Sequence, residues 1–136
     1  MRAQSPPRPL VILVDDDTAL RTALKFSLEL DGFEVEAFET AEEVLSKPVL
    51  PEVSCLVMDQ NLPGLSGVEA LSRLRQMGLR TPALLITSNP GPTLRKAAAA
   101  TDAAIVEKPL LGDVLVGSII GVLSPEATRA LSSPNR

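Results

Sequence analysis

The chain has 136 residues, enough for one domain with a real core and little besides. Its 13 basic and 17 acidic residues leave a formal charge of −4, and with no Trp, no Tyr and three Phe it offers neither a basic stripe nor a stacking platform for nucleic acid. Histidine is absent, which excludes His-based triads and His metal sites; any phosphohistidine chemistry must take its imidazole from a partner.

Residues 1–9 carry three prolines and predict a disordered lead-in. The start has no apolar signal core, and the longest apolar-rich stretch, 110–122, falls short of a ~20-residue span and is broken by Asp113. A cytoplasmic protein with no membrane contact is expected. The branched run 10–15 suits a strand buried on both faces. Asp17 is the expected N-cap of a helix over 18–30, stopped by Asp31-Gly32, in which Leu20, Ala23, Leu24 and Leu28, with Ala19, Phe26 and Leu30 beside them, predict a broad buried stripe. Residues 33–38 alternate with period two, as a half-exposed strand near the sheet edge does. Thr40-Ala-Glu-Glu43 and Ser66-Gly-Val-Glu69 are capping boxes that open the second and third helices. Between them lies a third strand over 53–59, where Cys55, the single cysteine, reads as a buried structural thiol. A fourth strand at 82–87, a helix near 93–101 and a fifth strand at 103–107 follow. Leu111, Val114, Leu115, Ser118, Ile119 and Val122 show the spacing of an amphipathic helix, weakened by Gly112, Gly117 and Gly121 at about 1 kcal/mol each. Five strand–helix units require a parallel sheet covered on both faces, so an α/β doubly wound domain is expected over 10–123, with a short tail at 124–136.

Chemistry-bearing residues gather at the C-terminal ends of these strands, where ligands bind in an open α/β sheet. Asp15, Asp16 and Asp17 end the first, Asp59 the third, Thr87 the fourth and Lys108 the fifth. Singly, each has a bland reading: a helix-capping acid, a strand-end hydroxyl, a solvated lysine. Together they can hold a divalent cation and a phosphoryl group. A hard cation such as Mg²⁺ takes one or two carboxylates plus phosphate oxygens. An ammonium and a hydroxyl can meet the remaining phosphoryl charge, and an aspartate can carry an acyl phosphate.

These residues resemble the receiver domain of bacterial two-component response regulators, of the single-domain chemotaxis-like type. The resemblance rests on Val14-Asp15-Asp16-Asp17, on Met58-Asp59-Gln60-Asn61-Leu62-Pro63-Gly64-Leu65-Ser66-Gly67, on Thr87-Ser88 and on Glu107-Lys108-Pro109, and covers roughly 10–123. It implies a flavodoxin-like fold with sheet order 2-1-3-4-5 and phosphotransfer to Asp59 from a sensor histidine kinase or histidine phosphotransfer protein. It also implies Mg²⁺, replaceable by Mn²⁺, on Asp16, Asp59 and the Asn61 carbonyl, with Asp15 acting through water. Lys108 would contact the phosphoryl group and Thr87 would be the switch hydroxyl. Such a domain is a phosphoacceptor that assists its own phosphorylation and dephosphorylation; it is not otherwise an enzyme. It works by switching protein–protein contacts.

Three positions depart from the family pattern. Ile105 stands where the switch aromatic usually lies, so aromatic flipping cannot be the readout. Ser88 replaces a small Ala or Gly, and Asn89-Pro90-Gly91-Pro92 stiffens a loop that usually moves. Ile105 is expected at the centre of an output surface made by the fourth helix, fifth strand and fifth helix. After residue 123 too little remains for a DNA-binding output unit. Two other readings compete. A degenerate receiver would bind partners regardless of phosphorylation. A haloacid-dehalogenase-type phosphohydrolase would need its nucleophile on the first strand, where Ala19 occupies the position of its Thr or Val.

Overall fold

The computed structural model describes residues 8–47, 53–110 and 114–123. Five strands, β1 (Leu10–Val14), β2 (Glu34–Phe38), β3 (Val53–Asp59), β4 (Ala83–Thr87) and β5 (Ala103–Glu107), alternate with five helices. The helices are α1 (Thr18–Leu30), α2 (Ala41–Leu45), α3 (Gly67–Gln76), α4 (Pro92–Ala100) and α5 (Val114–Val122). All pairings are parallel, in the order β2-β1-β3-β4-β5, the flavodoxin-like arrangement expected.

The period-two geometry of a strand sorts its side chains into two cores. Ile12, Val14, Leu56, Met58 and Leu85 face α2, α3 and α4 through Val44, Leu71, Leu74 and Ala98. Val11, Leu13, Val57, Leu84 and Ile86 face α1 and α5 through Leu28, Leu115 and Ile119. Consecutive residues of β1, and of 55–58 in β3 and 83–86 in β4, are thus apolar because both faces are covered. Edge strand β2 alternates, with Val35 buried between exposed Glu34 and Glu36.

Local signals hold where sequence placed them. Asp17 accepts from the Leu20 N–H at 3.0 Å, and both capping boxes are formed, Thr40 with Glu43 and Ser66 with Glu69. Gly32 and Gly78 take the positive φ that ends α1 and α3. Two details differ. Order reaches back to Pro9, which is buried and whose carbonyl accepts the Glu34 N–H at 2.9 Å; residues 1–7 and 124–136 lie outside the described residues. In α5, Leu115 and Ile119 are buried as expected but Val114 is 47% exposed, and Leu111 and Gly112 lie outside the described residues. The helix is so uniformly apolar that spacing alone could not say which of its flanks faces the sheet.

Candidate functional site

Each functional side chain sits where a strand ends and its loop begins. At the end of β1 the chain is pinned from three sides. The Asp15 N–H donates to the Phe38 carbonyl at 3.1 Å, and the Asp15 carbonyl accepts from Arg21 Nη1 at 2.7 Å. Its Oδ1 accepts from the Asp17 N–H at 2.9 Å. Asp15 is buried, whereas Asp16 beside it is exposed. Burial pushes the Asp15 carboxyl above its ordinary value; the neighbouring Asp59 and Asp16 charges push the same way, opposed by the Asp17 N–H and Lys108.

Asp59 is the last residue of β3 and is also buried. Both carboxylate oxygens are held: Oδ1 accepts from the Asn61 N–H at 3.1 Å and Oδ2 from Lys108 Nζ at 3.0 Å. The strand end itself is clamped. The Gln60 N–H donates to the Ile86 carbonyl at 2.9 Å, and the Gln60 carbonyl accepts from Gly67 at 3.1 Å. The Gln60 side chain accepts from the Val68 N–H at 2.8 Å. Gly67 allows this approach, since a Cβ there would lie 2.7 Å from the Asp59 carbonyl oxygen. One oxygen each from Asp15, Asp16 and Asp59 lie within 4.8 Å of one another, and Lys108 reaches this acidic group from β5.

Thr87 ends β4 and is buried, with its Oγ1 donating to the Ser88 carbonyl at 3.3 Å. Its own carbonyl accepts the Lys108 N–H at 2.9 Å, which fixes the lysine beside the hydroxyl. The Lys108–Pro109 peptide is cis, a feature sequence reading did not include. Beyond it, Leu20, Leu24, Ser88, Lys108, Pro109 and Leu110 line an open cleft of about 540 Å³. Asn89 adopts a positive φ of 47°, a conformation its short side chain tolerates, in the loop that carries Pro90 and Pro92.

The six expected residues Asp15, Asp16, Asp59, Asn61, Thr87 and Lys108 therefore converge on one end of the sheet. Ile105 lies apart from them, half-buried against the core beneath α3 and α4. On the neighbouring surface Arg95 of α4 pairs with Glu107 of β5 at 3.2 Å. Cys55 is buried and its thiol pushed up to about 12 by burial, an inert group. Sequence reading missed the supports. Arg21, Gln60 and Glu42 hold the site loops, Glu42 by accepting the Leu65 N–H at 3.0 Å beside Gly64, whose φ is 74°. Only Gln60 had a signal, its place within the Asp59–Gly67 motif.

The family model for the response regulator receiver domain matches residues 11–120. The transcriptional regulatory protein FixJ of Bradyrhizobium diazoefficiens is 35% identical over 112 residues, which cover 80% of this chain and 54% of FixJ. The solved chemotaxis protein CheY4 of Vibrio cholerae is similar with a TM-score of 0.80 at 26% identity, covering 86% of this chain and 100% of that one. The response regulator StyR has a TM-score of 0.77 at 34% identity, with 90% of this chain and 63% of StyR covered. The chain spans about half, or less, of the length of the first curated relatives it matches. No described helix is long and apolar enough to cross a membrane.

Proposed function

The chain belongs to the response regulator receiver domain family of two-component signalling, and from that premise we propose that it accepts a phosphoryl group on Asp59 and uses the modification to switch protein contacts. The observation that carries this reading is the Asp59 carboxylate, buried at a strand end and held between the Asn61 N–H and the Lys108 ammonium, beside Asp15 and Asp16. Two fixed donors orient the nucleophile before any donor arrives, which is the larger part of what phosphoryl transfer asks of a protein.

In the transfer an Asp59 oxygen forms a bond to phosphorus as the phosphorus–nitrogen bond of a phosphohistidine breaks. The histidine belongs to a kinase or phosphotransfer partner, since this chain has none, and the electron pair returns to that imidazole. Lys108 would exchange its bond with Asp59 for one to a phosphoryl oxygen. The Thr87 hydroxyl lies on the adjoining strand end and can turn from the Ser88 carbonyl toward the new charge.

The donor set also fits a hard cation. Three carboxylates whose oxygens lie within 4.8 Å repel one another, and Lys108 offsets that charge at one oxygen of Asp59. Asp16, Asp59 and the Asn61 carbonyl would hold Mg²⁺ or Mn²⁺, with Asp15 acting through water. When bound, the cation supplies charge neutralisation for the carboxylates and for the transferred group.

Incubation with Mg²⁺ and acetyl phosphate tests the assignment. The expected result is a phosphoryl mass shift mapped to Asp59, lost on chelation and absent in Asp59→Asn. Phosphate on Asp15 or Asp17 would sink the assignment. A folded protein that takes no phosphate yet keeps its partners would instead be the degenerate binding module.

A further inference from the structure

Asp16 differs from the other two acids of the site in how it is held. Asp15 and Asp59 are buried, and their carboxylates accept main-chain N–H groups, from Asp17 at 2.9 Å and from Asn61 at 3.1 Å. Asp16 is exposed, and its carboxylate accepts no hydrogen bond from the described residues. Its place within 4.8 Å of its two neighbours is therefore set through its backbone.

Both peptide planes that flank Asp16 are pinned. The plane toward Asp17 is fixed by the Asp17 N–H on Asp15 Oδ1. The plane toward Asp15 is fixed by Arg21 Nη1 on the Asp15 carbonyl at 2.7 Å. Arg21 is well placed for that reach. Its own N–H donates to the Asp17 carbonyl at 2.8 Å in the first turn of α1, and a helical side chain leans toward the N-terminus of its helix, here back toward the end of β1. The side chain is half-buried, with Nη2 3.5 Å from Thr18 Oγ1.

We propose that Arg21 is a positioning residue for the cation site: by fixing the Asp15–Asp16 peptide it aims the Asp16 carboxylate at the ion. This rests on the cation reading given above. A plain charge role makes the opposite prediction. A guanidinium that only offset the acidic group would compete with the cation, so its removal would tighten binding. Removal of a positioner frees the Asp16 carboxylate and weakens binding, even though a repelling positive charge has gone. Groups that orient metal ligands are worth about 10–100-fold in affinity, and the relieved repulsion leaves the lower end of that range.

Mn²⁺ titration of the full chain, followed by the electron paramagnetic resonance of the free ion, reads affinity without any phosphoryl transfer. Arg21→Met keeps the stem but removes the donors and the charge, and should bind about tenfold more weakly than wild type. Arg21→Lys keeps the charge and one ammonium on a shorter stem, and should lie between the two. Arg21→Gln repeats the first arm should Arg21→Met not fold. Urea unfolding beside each titration shows that folded protein is being titrated, so lost stability does not register as lost affinity. In an Asp16→Asn background the Arg21→Met change should weaken binding by less than about twofold, because the group it aims is gone. Affinity of Arg21→Met at or above wild type overturns the proposal and leaves Asp59 as the acceptor untouched. A full tenfold loss in the Asp16→Asn background also overturns it. A wild type that binds no Mn²⁺ overturns the cation reading, and this inference with it.

Discussion

Replacing Gly67 by alanine tests the clamp that positions Asp59. A Cβ at this site would lie 2.7 Å from the Asp59 carbonyl oxygen, 2.9 Å from Leu85 Cδ2 and 3.1 Å from Gln60 Cα. Two of these neighbours are backbone atoms of the strand end, so relief requires that α3 and β3 part by about half an ångström, against close packing on both sides. Overpacking of this kind costs about 1–3 kcal/mol. Alanine's helix propensity returns at most about 1 kcal/mol, and less at the first residue of a helix. The steric effect wins, with a net loss of about 1–2 kcal/mol. Gly117 in α5 is the matched control, since a Cβ there meets nothing within 4 Å. Gly117→Ala should stabilise by about 0.5–1 kcal/mol. Urea unfolding of both variants should move the midpoints in opposite directions. Mg²⁺ titration should show weaker binding only for Gly67→Ala, whose strain falls on the acceptor strand. An unfolding midpoint for Gly67→Ala at or above wild type would refute the clamp.

Lys108→Ala leaves the buried Asp59 carboxylate facing two other acids. Because the lysine is partly exposed, the expected loss in metal-free buffer is about 1–2 kcal/mol, below the range for fully buried pairs, and saturating Mg²⁺ should shrink it. Unchanged melting in both buffers would dismiss that electrostatic role. Asp15 titrates above its ordinary value, so the folded state holds the proton more tightly than the unfolded chain, and stability drains as pH rises from near 3.8 through the folded pKa. Asp15→Asn removes this drain. Its midpoint should match wild type near the acid end and exceed it at neutral pH without metal; a constant offset across pH would contradict the argument. Arg75 donates to four carbonyls, of Thr101, Leu79, Thr81 and Asp102, at 2.7–3.2 Å. Arg75→Ala should cost about 2–4 kcal/mol in denaturant unfolding, with Arg75→Lys intermediate.

The sequence carried local information faithfully and relational information poorly. Asp17, the Thr40–Glu43 box and the Ser66–Glu69 box involve residues at most three apart, so their chemistry fixes helix starts before tertiary structure exists. The acidic ends of β1 and β3 were legible because strands announce themselves as apolar runs and a charge marks where each run stops. Arg75 carried no such mark. Its acceptors are backbone carbonyls, which every residue possesses, and two of them lie 26 and 27 positions away. Arg21 and Glu42 are hidden for the same reason: each satisfies a main-chain group of a loop, and sequence does not say which groups a loop leaves over. The broad buried stripe expected on α1 is corrected: Leu28 is buried, but Ala19, Ala23, Phe26 and Leu30 are exposed, because the sheet covers one side of the helix only and apolar spacing does not say how wide that side is.

The Thr87 hydroxyl owns a single proton, and that proton is now given to the Ser88 carbonyl across a long 3.3 Å bond. It cannot be given twice. Any anion that arrives on Asp59 and draws this hydrogen must release the Ser88 carbonyl in the same act. The bond surrendered is a neutral one of about 1 kcal/mol, and the bond gained is charge-assisted at about 1.5–3 kcal/mol. Occupancy of the acceptor and freedom of the loop that leads into α4 thus become two readings of one ledger line. Thr87→Val, which has no proton to move, would leave the loop indifferent to whatever Asp59 carries.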